Sequence, residues 1–183
     1  VTENYIPVIT PQVNDTNIRH WIVKGENFLI RFKRSTGYMD KYIVNGLDMI
    51  KDGAALTPNF WRAPTDNDYG AKLQLKYNAW KNPDIKLISL KNNIVDNQAV
   101  ISAEYEMKQV SAKLYITYTI NNQGAVQVNQ KMITDKAANV SNMFRFGMQL
   151  VMPRSFENIS YDGRGPIENY SNRKHCTDLG IYN

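Results

Sequence analysis

Hydrophobic and polar residues alternate with a period of two along most of this chain. Phe28, Ile30 and Phe32 interleave with Leu29, Arg31 and Lys33. Successive strand side chains point to opposite faces, so this pattern predicts a strand with three large apolar groups on one side and two charges on the other. Ser35-Thr36-Gly37 supplies a turn, Tyr42-Ile43-Val44 a second strand, and Asn45-Gly46 a two-residue hairpin, because both residues tolerate positive φ. From Ile85 onward the alternation returns. Ile101, Ala103, Tyr105 and Met107 share one face, followed by Ala112, Leu114, Ile116, Tyr118 and Ile120. Asn121 to Gly124 turns the chain into Val126, Val128 and Met132, and a last strand is predicted through Met148, Leu150 and Met152, stopped by Pro153.

One stretch follows the helical period instead. Leu73, Tyr77 and Trp80 share a face of a predicted helix over Ala71 to Trp80, with Asp66 to Asp68 nearby for capping and Asn82-Pro83 to end it. Six or more antiparallel strands with short turns and one short inserted helix predict an all-β fold, an antiparallel β-sandwich. Before the first strand, Pro7, Pro11 and the run Asn14 to Asn17 favour extended or turn backbone. Residues 1–17 therefore read as a linker or lead-in from an upstream domain, and residues 18–183 as the sandwich domain.

Composition narrows the function classes. With 183 residues, 43% of them hydrophobic, the chain can bury a sizeable core. Its apolar runs fall far short of the roughly 18 residues that cross a bilayer, and no secretory signal opens it, so no membrane partner is expected. The net charge of +5 is scattered as single or paired Lys and Arg, which predicts a mixed solvated surface and no nucleic-acid partner. A single cysteine, Cys176, excludes an intramolecular disulfide and a cysteine zinc cluster. Val1 in place of Met suggests a processed protein or a piece of a longer one. The compartment is not indicated.

The segment Phe60-Trp61-Arg62-Ala63-Pro64-Thr65-Asp66-Asn67-Asp68-Tyr69-Gly70 breaks every period. Exposed aromatic rings cost free energy unless covered, so this loop is either packed into the domain or offered to a partner or ligand. Asp66 and Asp68 do not make a calcium loop, because Tyr69 and Gln74 spoil the ligand spacing. Nor do they make a retaining glycosidase pair, which needs two carboxyls about 5 Å apart, usually from separate rigid elements. Capping and bracing of the loop suit them better. A second dense motif, Tyr161 to Arg173, turns at Gly163, Gly165 and Pro166 and carries Arg164, Glu168, Asn169 and Arg173, side chains that can brace a loop or grip a sugar. His175 and Cys176, as neighbours in a strand, would face opposite ways and make no nucleophile pair. His20 has no second ligand at metal spacing. Asn-x-Ser/Thr triplets at Asn14, Asn139, Asn158 and Asn169 are expected by chance in so Asn-rich a chain.

Asn59 to Asp68 and Gly163 to Arg173, with Phe144-Arg145-Phe146-Gly147-Met148 between them, resemble the C-terminal β-sandwich, or small-chain, domain of glycoside hydrolase family 2 β-galactosidases. The resemblance covers nearly everything after Trp21. It implies a large supersandwich of the galactose-mutarotase type, and family members continue past the second motif, so the sandwich is expected to be incomplete at its C-terminus here. In that family the two catalytic glutamates lie on a separate (β/α)₈ barrel. The resemblance therefore implies no catalytic residue in this chain; it implies a noncatalytic domain that packs on the barrel of the same polypeptide and shapes the mouth of a site for terminal β-D-galactosides. Trp61, Arg62, Asp66, Asn67 and Asp68 are the implied rim or docking residues, and Arg164, Glu168, Asn169 and Arg173 the implied structural motif. Asn172 stands where an acidic residue is expected, which removes the partner of a motif salt bridge. No cofactor is expected in this chain, since the family's Mg and Na are bound mainly by other domains; a homo-oligomer and a bacterial source fit the family. The alternative is a free-standing carbohydrate-binding module or mutarotase-like protein.

Overall fold

Alternation becomes two stacked sheets. The computed structural model describes residues 10–135, 137–167 and 174–183. They form two compact units, the first extending to Val151 and the second spanning Met152–Asn183.

In the first unit, β1 (Gln12–Asn14), β2 (His20–Lys24), β3 (Phe28–Lys33), β4 (Met39–Val44) and β5 (Leu47–Asp48) pair in that order as an antiparallel meander. Gln12–Asn14 is thus a paired edge strand within the stretch read as a lead-in. The Asn45-Gly46 turn joins β4 to β5 as predicted, with φ of 50° and 80° and Val44 opposite Leu47. A short strand β6 (Thr57–Asn59) leads to two short helices, α1 (Asp66–Gly70) and α2 (Leu73–Lys76), and a 3₁₀ turn at Asn78–Trp80. The second large sheet follows as β7 (Ile85–Val95), β8 (Gln98–Met107), β9 (Ala112–Ile120) and β10 (Val126–Thr134), each antiparallel to the next. Finally β11 (Gly147–Gln149) returns to pair with β6.

The predicted inward faces form the core. Phe28, Ile30 and Phe32 of β3 are buried, as is the whole inner row of β8 and β9 from Ala99 to Ile120. Aromatic contacts bridge the two sheets: Phe32 meets Tyr118 edge-on at 4.9 Å, and Tyr38 stacks on Tyr105 at 5.4 Å. The Tyr42 hydroxyl donates to the Gly124 carbonyl at 2.7 Å, tying β4 to the β9–β10 turn. Gly37, with φ of 70°, lies where a Cβ would come within 2.7 Å of the Tyr105 hydroxyl oxygen, so this turn requires glycine both for its backbone and for space. The fold is an all-β sandwich.

Three local expectations are corrected. The helix predicted over Ala71 to Trp80 starts five residues earlier and is broken. Thr65 caps α1 ahead of Asp66, and Lys72 adopts a left-handed conformation, φ 57°, which an uninterrupted helix cannot contain. The strand predicted through Leu150 and Met152 ends at Gln149, because β6 offers only three residues to pair with. His175 and Cys176 lie in a 3₁₀ turn, Lys174–Cys176, and not in a strand.

Among the described residues of the second unit, β12 (Tyr161–Gly165) pairs with β13 (Asp178–Tyr182) as a hairpin. Tyr161 and Tyr182 stack at 5.4 Å, and the single O–H of Tyr182 is shared between the carbonyls of Gly165 and Asp178, at 3.1 and 3.0 Å.

Candidate functional site

The loop between β6 and α1 is built from both of its ends. At its start, the Asn59 side-chain carbonyl accepts from the Trp61 backbone N–H at 2.8 Å, a local turn that aims the next residues away from the strand. The Asn59 side-chain amide donates to Gln149 on β11. At the far end, Thr65 and Asp68 form a reciprocal capping box: the Asp68 N–H donates to the Thr65 hydroxyl, and the Thr65 N–H donates to the Asp68 carboxylate at 2.7 Å. The box satisfies donors that a five-residue helix would otherwise leave open.

Arg62 closes the loop on itself. Its guanidinium donates to both carboxylate oxygens of Asp68, at 2.5 and 3.2 Å, and to the Ala63 carbonyl at 3.0 Å. Asp68 is buried, while Arg62 is half-buried. The Arg62 ion pair first, and then the Thr65 N–H and hydroxyl, hold the Asp68 carboxyl at about 2, well below its usual 3.8. A carboxylate so engaged is ionised at neutral pH and is no proton donor there. Its oxygens are taken up by the loop itself.

Because the folded-state pKa is depressed, this ion pair stabilises the loop fully above about pH 4 and loses that effect as pH falls through about 2. A carbon-detected NMR titration of Asp68 is expected to give a midpoint near 2, moving up towards 3.8 in an Arg62→Met variant. A native midpoint already near 3.8 would contradict the ion pair.

Aromatic rings carry the rest. Phe60 is buried beneath the loop, 5.7 Å from the Trp80 ring and 5.8 Å from Phe146. Trp80 is buried too, and its indole N–H donates to the Ser141 carbonyl at 2.9 Å. Trp61 is only half-buried, edge-on to Phe144 at 4.9 Å, with the Lys81 ammonium 5.8 Å from its ring centre. Phe144 also lies 4.6 Å beneath the Arg62 guanidinium and 5.1 Å from Tyr77.

The implied rim residues therefore divide. Asp68 points inward as a brace, with Arg62 as its partner. Trp61 forms a half-exposed shoulder. Asp66 and Asn67 are exposed at the tip, beside Tyr69, which is 54% exposed. These tip groups can hydrogen-bond or stack with a surface brought against them. Phe144 was not singled out from the sequence, where it appeared only within Phe144 to Met148. The usable signal was the recurrence of Phe144, Phe146 and Met148 at every second position.

In the second unit, Arg164 donates to the carbonyl of the buried Thr177 at 2.9 Å, a bracing role across the hairpin. Glu168, Asn169 and Arg173 lie outside the described residues. Among the described residues no group of three or more His, Cys, Asp or Glu side chains is arranged to hold a metal ion. In the loop, the Asp68 carboxylate is committed to Arg62 and Thr65 and is not open as a metal ligand.

The antiparallel sandwich thus carries a loop braced internally by Arg62, Thr65 and Asp68, with Asp66, Asn67 and Tyr69 exposed at its tip. The family described as "Beta galactosidase small chain" matches residues 24–183, and this chain belongs to it. A Beta-galactosidase of Priestia megaterium is 30% identical over 179 residues, covering 96% of this chain and 16% of the relative. One of Psychromonas ingrahamii is 29% identical, covering 85% of this chain and 17% of the relative, and one of Streptococcus thermophilus is 28% identical, covering 87% and 16%. The chain thus spans about a sixth of the length of the curated relatives it matches.

Proposed function

We propose that this chain is the noncatalytic small-chain domain of a β-galactosidase that hydrolyses terminal β-D-galactosides. It packs against a catalytic barrel of the same polypeptide, and its Asn59–Gly70 loop forms part of the active-site mouth. The observation that carries this reading is the division of labour in the loop. Arg62 and Asp68 are spent on each other, so the loop is preformed, while Trp61, Asp66, Asn67 and Tyr69 remain at its surface. A preformed rim loses little conformational entropy when a substrate or a neighbouring domain meets it. Family membership and the short span of the chain within its relatives support the same reading. On this reading, Mg or Na used by the whole enzyme would be bound mainly by its other domains.

Assayed alone with a chromogenic β-galactoside, the chain is expected to show no turnover, and to show turnover only when its sequence is part of the whole-length protein. Robust hydrolysis by the isolated chain, abolished by Asp68→Asn, would overturn this. Calorimetry with galactose and lactose tests the remaining alternative, since millimolar or tighter binding by the isolated chain marks a free-standing binding module.

A further inference from the structure

Resting on that reading, we infer that Phe144, in the connector between β10 and β11, is a positioning residue for the galactosidase reaction: its ring holds Trp61 and Arg62 where the rim loop needs them. Three contacts converge on this one side chain. The Trp61 indole meets it edge-on at 4.9 Å with a 78° interplanar angle, Tyr77 meets it at 5.1 Å and 70°, and the Arg62 guanidinium lies 4.6 Å from its centre. Edge-to-face pairs and cation–ring contacts depend on the ring's quadrupole, so an aliphatic side chain of similar bulk does not replace them.

The two fixings of Arg62 are complementary. Asp68 holds the edge of the guanidinium within its plane by two hydrogen bonds, and Phe144 supports its face. Asp68 belongs to the same short loop, so by itself it fixes only the loop's internal shape. Phe144 comes from a different connector, which is anchored where β11 pairs with β6 and where the Ser141 carbonyl accepts from Trp80. It therefore fixes the loop relative to the sandwich. Tyr77, on the third side, links the same ring to the turn that follows α2. Loop position in this domain is thus set by a residue far downstream in sequence. If the loop lines the mouth of the site, its position governs how substrate is held more than the bond-breaking step itself, whose groups lie elsewhere.

The test compares Phe144→Leu with Phe144→Tyr in two readouts. In the chain itself, ¹H–¹⁵N spectra report the Trp61 indole and the Arg62 Nε–H, with the Trp21 indole as a control for the fold. In the whole-length enzyme, steady-state kinetics separate KM from kcat. The expected result is that Phe144→Leu shifts the Trp61 and Arg62 signals while leaving Trp21 in place, and raises KM about three- to tenfold with kcat within about twofold. Phe144→Tyr should restore both. Unmoved loop signals would overturn the inference while leaving the rim reading to be judged on Trp61→Ala. Shifted signals with unchanged kinetics, in Trp61→Ala as well, would overturn the rim reading and the inference with it. Should Phe144→Leu fail to fold, Arg62→Gln leaves the ring in place and removes its cation; an unchanged KM there would count against the proposal.

Discussion

Replacing Trp80 by alanine is expected to destabilise the first unit by about 3–5 kcal/mol, the range for truncating a buried large aromatic. The ring is 2% exposed, packs edge-on against Phe60, and donates its indole N–H to the Ser141 carbonyl. Alanine leaves a cavity beneath the loop and a carbonyl without this donor, and total stabilities of roughly 5–15 kcal/mol make such a loss large. Trp80→Phe keeps most of the packing and should cost about 1–3 kcal/mol, mainly from the lost hydrogen bond. Urea unfolding of the two variants checks both numbers. A loss below about 1 kcal/mol for the alanine variant would show that the site collapses freely and is not the floor described above.

The second large effect is functional. Trp61→Ala in the whole-length protein is expected to lower kcat/KM by about tenfold or more and to lower the melting temperature at the same time. Trp61 contributes an edge-on contact to Phe144 and a ring face to Lys81, and it is half-exposed beside the exposed loop tip. A residue that only filled the core would change stability alone. One that only touched substrate would change kinetics alone. Under the proposed placement Trp61 does both, because it holds the rim and forms part of it. Unchanged kinetics together with unchanged thermal stability would count against that placement.

The two tryptophans also show how far local pattern reading reached. Trp80 fell on a helical period with Leu73 and Tyr77, and it is buried, although the helix itself is broken at Lys72. Periodicity reports which side chains face the core, and that preference survives when the backbone between them is irregular. Trp61 fell on no period. Its surroundings are set by Phe144 and Lys81, which a linear reading had no means of bringing beside it. The same holds for Asp68. The sequence placed it near a helix start, where a carboxylate is favoured, but the capping residue is Thr65, and the bidentate link to Arg62 depends on how the six-residue bend folds.

What the sequence determined by itself was the sandwich: period-two faces on β3, β8 and β9, the Asn45-Gly46 hairpin, and the family to which its two dense motifs belong. Those features are local, because strand pleat and turn chemistry act over two to four residues. Only the tertiary structure decided which loop residues brace and which are presented. Ring–ring and cation–ring contacts between separate connectors depend on the register of β6 with β11 and on the path of the chain through Phe144, and neither is encoded in any short window.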